Sequence, residues 1–141
     1  MDKISLSEKF EEIFKEHNLD GIISPVFVTP PCNHDEFKKT GFGVVYTALF
    51  NIVDYPSLII PRVHIVEKED TNPSEYSDWK YGEDPITKAV RDSLKGSEGL
   101  PIGVQVSALT FQDEKCLGLS KVIDKTLREK GVMKDVQFQK I

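Results

Sequence analysis

Apolar positions along the chain alternate between helical spacing and short continuous runs. Four of them recur at near-helical spacing and predict a first helix: Ile4, Phe10, Ile13 and Phe14. We expect Ser5 or Ser7 to cap this helix, with Glu8 or Glu11 in its first turn. The pattern predicts that the helix ends within 18–21, where Asn and Gly residues interrupt the helical spacing.

Three later runs are short and apolar throughout, which is typical of buried strands. They are IIS within 21–28, SLII within 56–61 and IGVQV within 100–108. The segments between and after them predict helices over 41–55, 84–96 and 111–131, while 29–41 predicts a loop and 67–83 a polar surface excursion. The tail, 132–141, alternates with period two and predicts a fourth, edge strand.

Strands that alternate with helices indicate an α/β fold with parallel strand pairing. The predicted helices are too few to cover both faces of three apolar strands. The first and third strands would also be edges, with unpaired amides. The pattern therefore indicates one partial domain, residues 1–141, taken from a larger sheet.

Helix ends and turns have recognisable residues. Asp84 at the N-cap and Pro85 at N1 should start the third predicted helix, over 84–96, and Gly96 should follow its end. Gly99 should adopt a positive φ in the turn before the third strand, and Pro101 should be that strand's first residue, where no ladder N–H is needed.

Composition narrows the class of partner. The 141 residues carry a formal net charge of −5, which disfavours nucleic acid as a partner and gives no attraction to anionic lipid. Cys32 and Cys116 are far apart in sequence and indicate free thiols in a reducing compartment. The sequence shows neither a secretory signal nor an apolar run of the roughly 20 residues that a spanning helix needs. We therefore expect an intracellular, cytoplasmic protein.

Residue patterns for catalysis or metal binding are weak. Cys32 and His34 could begin a metal site, but no second cluster follows at zinc-like spacing, so a solvated loop is favoured and no metal or cofactor is expected. Three histidines are possible bases for a serine or cysteine nucleophile: His17, His34 and His64. No Gly-x-Ser-x-Gly elbow accompanies them, and Ser24 and Ser57 fit structural roles better. Gly41-x-Gly43 lacks the third glycine of a phosphate-binding loop.

Gln105 is the polar residue in the middle of the third strand. A buried side-chain amide without partners costs roughly 1–3 kcal/mol, so Gln105 should bridge the backbone of a neighbouring loop rather than contact a substrate. The apolar helix over 41–55 has two interpretations, because a core helix and the wall of an acyl-binding channel show the same pattern.

Three motifs, in order and at the right spacing, resemble one enzyme family. They are YTALFNIVDYP (46–56), GLPIGVQ (99–105) and FQDEKCL (111–117). Together with LDGIISPVF (19–27), they resemble the C-terminal portion of amidase-signature hydrolases, and most closely the fatty acid amide hydrolase branch. The likeness covers nearly the whole chain, from about Ile4 to Leu127.

The resemblance implies a large mixed, mostly parallel sheet flanked by helices, of which this chain would be the last quarter. It implies hydrolysis of carboxylic amides, with fatty acid amides as the substrates of the branch it most resembles. The reacting residues implied are a Lys, a bridging Ser and a nucleophilic Ser in a segment of the Gly-Gly-Ser-Ser type. That segment is absent from the 141 residues, so no catalytic residue is carried over. The start at Met1 suits a truncated or split gene.

The resemblance carries over binding elements only. It places Gly41, Val44 and Ala48 beside the apolar tail of the substrate, and Ile86 near the same channel. An apolar acyl amide and the missing N-terminal part of the domain are the implied partners. Membrane association would come only through segments absent from this chain.

Two alternatives remain open. The chain could be a degenerate, non-catalytic module that binds an apolar ligand or complements a separate N-terminal half. It could instead be a free-standing hydrolase that uses one of its histidines. The leading interpretation is an amidase segment that is inactive alone.

Overall fold

The computed structural model describes residues 3–32, 34–71 and 84–133, which form helices and one small antiparallel sheet. In chain order the longer elements are α1 (Lys3–Glu16), β1 (Ile22–Pro25), α2 (His34–Thr40), a 3₁₀ helix (Gly41–Val44), α3 (Val45–Ile52), β2 (Ser57–Ile65), α4 (Pro85–Ser93), β3 (Pro101–Ser107) and α5 (Asp113–Glu129). A short 3₁₀ turn, Glu69–Thr71, follows β2. The α/β class predicted from the sequence is confirmed.

The strand order is β1–β3–β2, and both pairings are antiparallel. The prediction of parallel neighbours is therefore wrong. Its physical basis was sound for β1 and β2, which run in the same direction, with α2 and α3 in the connection between them. The third strand inserts between them in the opposite direction. It is consequently the inner strand, and β2 rather than β3 is an edge among the described residues.

The largest buried cluster packs α1 against the turn between α3 and β2. Phe14, Phe50, Val53 and Tyr55 are buried there, and Leu6, Phe10, Leu19, Ile22 and Leu109 pack around them. The Tyr55 ring stands edge-on to Phe10 and Phe14, at centroid distances of 6.0 and 5.9 Å. Edge-to-face pairs of this kind are worth about 0.5–1.5 kcal/mol beyond burial. This cluster fixes α1 to the rest of the fold.

The fifth helix covers the opposite face of the sheet from Gln105. Side chains alternate faces along a strand, so Val106 and Gln105 point to opposite sides of β3. Cys116 on α5 is buried, and its thiol donates to the carbonyls of Val106 and Pro56, at 3.3 and 3.5 Å. The Gln105 face is left to the loop after β1 and to α3.

Several local predictions are confirmed. Asp84 caps α4 by accepting from the backbone N–H groups of Ile86 and Thr87, both at 2.9 Å, and Pro85 is the first helical residue. Three glycines have the positive φ that helix ends and turns require: Gly96, Gly99 and Gly131, near +79°, +80° and +67°. Pro101 is the first residue of β3.

Other local predictions are wrong or fall outside the described residues. The first helix begins at Lys3, so Ser5 and Ser7 lie inside it rather than at its cap. The loop predicted over 29–41 contains α2, because Asp35 and Glu36 in the first turn face Lys38 and Lys39 in the last. Most of the predicted fourth strand, 134–141, and the excursion over 72–83 lie outside the described residues.

The Tyr55 hydroxyl gives a first testable prediction. Its oxygen is buried without a hydrogen-bond partner among the described residues, and burial, followed by the charge of Glu11, raises the pKa of Tyr55. The Tyr55→Phe variant keeps both ring contacts and removes the unpaired hydroxyl. Its stability at pH 7 should therefore be equal to that of the parent, or higher by up to about 1 kcal/mol.

The pH dependence of the same variant is a further readout. Because the pKa is higher in the folded state, this group's contribution is complete below about pH 10 and is lost as pH rises beyond it. The Tyr55→Phe variant should lose less stability in that range, by urea unfolding, while Tyr46→Phe at an exposed position serves as control. A loss of more than about 1 kcal/mol at pH 7 in Tyr55→Phe would show that the hydroxyl has a partner.

Candidate functional site

An apolar groove opens on the Gln105 face of the sheet, with a volume of about 430 Å³. The loop after β1, the start of α2, the middle of β2 and the start of β3 supply its lining: Pro25, Val26, Phe27, Thr29, Pro30, Pro31, Cys32, His34, Phe37, Ile59, Pro61, Arg62, Pro101, Ile102 and Gly103. Small-molecule sites have volumes of roughly 300–1,000 Å³ and mostly apolar walls with a few polar groups. The groove matches both properties.

The loop after β1 forms one wall, and it is held in place by close packing. A Cβ on Gly43 would lie 2.5 Å from Val28 Cγ1 and 2.8 Å from the Phe27 ring, so only glycine lets the loop approach the 3₁₀ helix. The Phe27 ring also stacks on Phe37 of α2, with centroids 6.0 Å apart and planes 18° apart. These contacts join the loop, the 3₁₀ helix and α2 into one wall.

A bulge in β2 forms the floor. The register is regular up to Ile60 opposite Val104 and resumes at His64 opposite Ile102, so three residues, 61–63, face the single residue Gly103. A Cβ on Gly103 would lie 2.9 Å from the Ile60 carbonyl oxygen. Bulges of this kind bend a strand and are frequent beside functional sites. Two residues of the bulge, Pro61 and Arg62, are part of the groove lining.

The groove has few polar groups. Thr29 Oγ1 is buried with no hydrogen-bond partner in the described part of the chain. Arg62 has a φ of +59°, in the left-handed region that residues other than glycine seldom occupy. Cys32 is a partly exposed free thiol, and His34 begins α2. Across 3–32, 34–71 and 84–133, no three His, Cys, Asp or Glu side chains are grouped so that they could hold a metal ion.

Gln105 lies beside the groove and has the structural role that its burial requires. It is 3% exposed, and its amide donates to Ser24 Oγ on the neighbouring strand at 3.3 Å and to the Tyr46 carbonyl at 3.2 Å. The predicted bridge to backbone is therefore present. Its acceptor lies in helix α3 rather than in a loop, so Gln105 links the sheet to that helix.

The residues predicted to contact substrate lie outside the groove. Gly41 and Val44 are in the 3₁₀ helix, Ala48 is on α3 and Ile86 is at the start of α4. Val44 is 45% exposed and Ile86 is 57% exposed. None of the four is part of the groove lining. Sequence reasoning also missed the groove, although the prolines at 25, 30, 31 and 61 mark the two segments that form most of it.

Three of these four residues belong to an apolar surface, which we call the α3 surface. Its large exposed members are Phe42, Val44, Val45, Tyr46 and Ile52. Only Phe50 of α3 is buried, so the helix is apolar on faces that nothing among the described residues covers. A group of exposed apolar side chains on one helix is typical of a surface that contacts a partner or a ligand. The surface therefore suits contact with an apolar group.

Cys32 and His34 both line the groove, but no hydrogen bond joins a candidate nucleophile to a candidate base among the described residues. His64 Nε2 lies 2.6 Å from Asp70 Oδ2, and the Glu67 N–H and this histidine lower the pKa of Asp70. The contact with Asp70 orients the His64 imidazole. No serine hydroxyl or cysteine thiol in the described ranges is hydrogen-bonded to that imidazole. The Ser57 and Ser107 hydroxyls bond each other at 2.7 Å. Burial raises the pKa of the Cys116 thiol, which disfavours the reactive thiolate.

Comparison with known proteins gives a consistent result. The family model described as Amidase matches residues 1–117. The chain is 32% identical to fatty acid amide hydrolase 1 of Caenorhabditis elegans over 119 residues, which is 83% of this chain and 20% of that protein. It is 28% identical to fatty-acid amide hydrolase 1 of Sus scrofa over 110 residues, covering 78% and 18%.

A third relative is named after a different substrate. Acetamidase of Aspergillus oryzae is 27% identical over 111 residues, covering 77% of this chain and 19% of that protein. The chain thus spans about a fifth of the length of the curated relatives it matches. No helix in the described ranges is long and apolar enough to cross a membrane.

The bulge on the groove floor gives a second testable prediction. Gly103→Ala should destabilise the fold by about 1–3 kcal/mol, because the added Cβ meets a backbone carbonyl that cannot move without breaking strand pairing. Gly118→Ala is the matched control, since that glycine lies inside α5 with open space around it and should gain roughly 0.5–1 kcal/mol. Urea unfolding compares them. Equal stability of Gly103→Ala and the parent would contradict the close approach at the bulge.

Proposed function

The chain belongs to the amidase family, and we propose that it is the part of an amide hydrolase that binds the acyl portion of a fatty acid amide. The α3 surface carries this proposal, because it presents apolar side chains to a partner that the described residues do not supply. The names of two relatives, both fatty acid amide hydrolases, support the choice of a long apolar acyl group. Another relative is named acetamidase, so the acyl groups in the relatives' names differ in length.

Four residues are proposed to contact the acyl group: Gly41, Val44, Ala48 and Ile86. Gly41 and Ala48 are small, and the space around a Cβ at Gly41 is open, so an alkyl chain could lie close to the backbone there. Val44 and Ile86 are exposed apolar side chains that can contact the chain directly. Burying an exposed side chain of this size stabilises a complex by about 1.5–3 kcal/mol.

Catalysis is proposed to reside outside these 141 residues. The chain has no Gly-Gly-Ser-Ser segment, and no histidine is hydrogen-bonded to a serine or cysteine side chain among the described residues. The partner in this proposal is the remaining part of an amidase domain, which would supply the Lys and the two serines. Residues 1–141 would then form one segment of that domain. Free thiols at Cys32 and Cys116 support a reducing, cytoplasmic location.

A non-catalytic module is the second candidate. It is favoured by the folded aromatic cluster around Tyr55, which gives the segment a core of its own. In this case the chain binds an apolar ligand or complements a separate polypeptide without turnover. The two candidates differ in whether amide hydrolysis appears when the remainder of an amidase domain is present.

A chimera tests the proposed function. The matched part of the Caenorhabditis elegans fatty acid amide hydrolase 1 is replaced by this chain, and hydrolysis of dodecanamide is followed by ammonia release. We expect the chimera to be active and the isolated chain to be inactive. Turnover by the isolated chain would contradict the proposed division of roles.

Variants of the chimera test the acyl contacts. Ala48→Trp should fill the α3 surface and reduce kcat/KM for dodecanamide by at least about tenfold, while activity on acetamide changes little, because only the long chain reaches that position. Lys121→Trp, at an exposed position on α5, is the control for surface bulk. An equal loss on both amides, or no loss on either, would contradict acyl binding at Ala48.

A further inference from the structure

The groove between the loop after β1 and the β2 bulge is distinct from the α3 surface, and it has the properties of a binding site of its own. We propose that it binds an amphiphile with an apolar chain and a carboxylate, with the chain along the groove walls and the carboxylate paired with Arg62. This goes beyond the proposed function, because none of the four proposed acyl contacts lies in the groove lining.

The walls suit an alkyl chain. Phe27, Ile59 and Ile102 contribute large apolar side chains, and five of the fifteen lining residues are prolines. Proline fixes φ, and the loop is further held by the stacking of Phe27 on Phe37. A wall that is ordered before binding loses little conformational entropy when the ligand enters, which favours affinity. The volume of about 430 Å³ lies within the range of small-molecule sites.

The charge of the lining selects an anionic head. The chain as a whole has 23 acidic residues against 18 Lys and Arg residues, yet the lining contains no acidic residue, one arginine, Arg62, and one histidine, His34. The Arg62 side chain forms no hydrogen bond or ion pair with another described residue. Asp124, the carboxylate that interacts electrostatically with Arg62, is already bound by Arg128 at 2.8 and 3.2 Å. No described carboxylate therefore binds the Arg62 guanidinium directly, and a guanidinium is well suited to bidentate pairing with a carboxylate.

Two residues of the groove lining, Arg62 and Thr29, have further features that are typical of binding sites. Arg62 holds a positive φ within the bulge, a backbone state that persists only where its surroundings determine it and that is concentrated at binding and catalytic sites. Thr29 Oγ1, on the opposite wall, is buried without a partner among the described residues, which is unusual for a hydroxyl. Rotation of the Thr29 side chain towards a ligand oxygen would give its hydroxyl a hydrogen-bond partner.

The two cysteines provide a direct readout. Cys32 is partly exposed in the groove lining, whereas Cys116 is buried on the inner side of α5. Iodoacetamide should therefore alkylate Cys32 first, and the modified peptides can be counted by mass spectrometry. With dodecanoate at ten times its Kd, below its micelle concentration, alkylation of Cys32 should slow by about tenfold. The slow reaction of Cys116 should not change, which controls for denaturation by the amphiphile.

Variants test which residues bind the carboxylate of the ligand and which bind its apolar chain. Arg62→Asn removes the charge with a residue that tolerates the left-handed backbone, and it should raise the Kd for dodecanoate by at least about tenfold. Dodecanol, which has the chain without the carboxylate, should bind the parent more weakly by a similar factor. Ile102→Trp should fill the groove and abolish protection of Cys32. Lys121→Gln, which removes a charge from an exposed α5 position, should leave the Kd unchanged.

The proposal would be overturned by any of four results. Dodecanoate could fail to slow alkylation of Cys32. Dodecanoate and dodecanol could bind equally, which would remove the role of Arg62. Protection could be lost in Ala48→Trp but kept in Ile102→Trp and Arg62→Asn, which would place the ligand on the α3 surface. Cys32 could be protected without ligand at high protein concentration, which would indicate that a second copy fills the groove.

Discussion

The fold depends on how β3 fits between two strands that run in the opposite direction to it. At one end of β3, Gly103 has no side chain, because the Ile60 carbonyl oxygen occupies the space where a Cβ would lie. In its middle, Gln105 is buried and ties the strand to β1 through Ser24 and to α3 through the Tyr46 carbonyl. At its other end, the Ser107 hydroxyl bonds Ser57 on β2. Each neighbour of β3 is therefore held by a contact that a different residue type would not make.

This arrangement determines which surfaces remain for binding. Because α5 covers the face of Val106 and the Gln105 bridge holds α3 across the other face, α3 can bury only one side, and its remaining apolar residues form the α3 surface. Because β2 bulges opposite Gly103, the bulge residues Pro61 and Arg62 line a groove together with the loop after β1. Both surfaces follow from the sheet, and both lie in a chain that spans about a fifth of its relatives' length.

Local features of the fold could be predicted from the sequence where one residue type decides the outcome. Asp84 with Pro85, Gly99 and the buried Gln105 are of this kind, because a cap, a positive φ and a buried amide each have few solutions. Strand direction could not be predicted in the same way, since antiparallel insertion of β3 depends on contacts between residues distant in sequence. The short helix α2 was obscured by the preceding prolines. The groove depends on the register of β2 against β3, so its lining residues could not be grouped beforehand, although prolines mark two of the segments that form it.

The central claim is that this chain works as one segment of an amide hydrolase whose reacting residues lie elsewhere. The most direct measurement is to isolate the native protein with an antibody against 111–131, label it with a fluorophosphonate probe, and read the intact mass of every recovered polypeptide and the position of the label. The account predicts a labelled serine in a Gly-Gly-Ser-Ser type segment, on a longer product or on a bound partner. Recovery of an unlabelled 141-residue chain without any partner would contradict it.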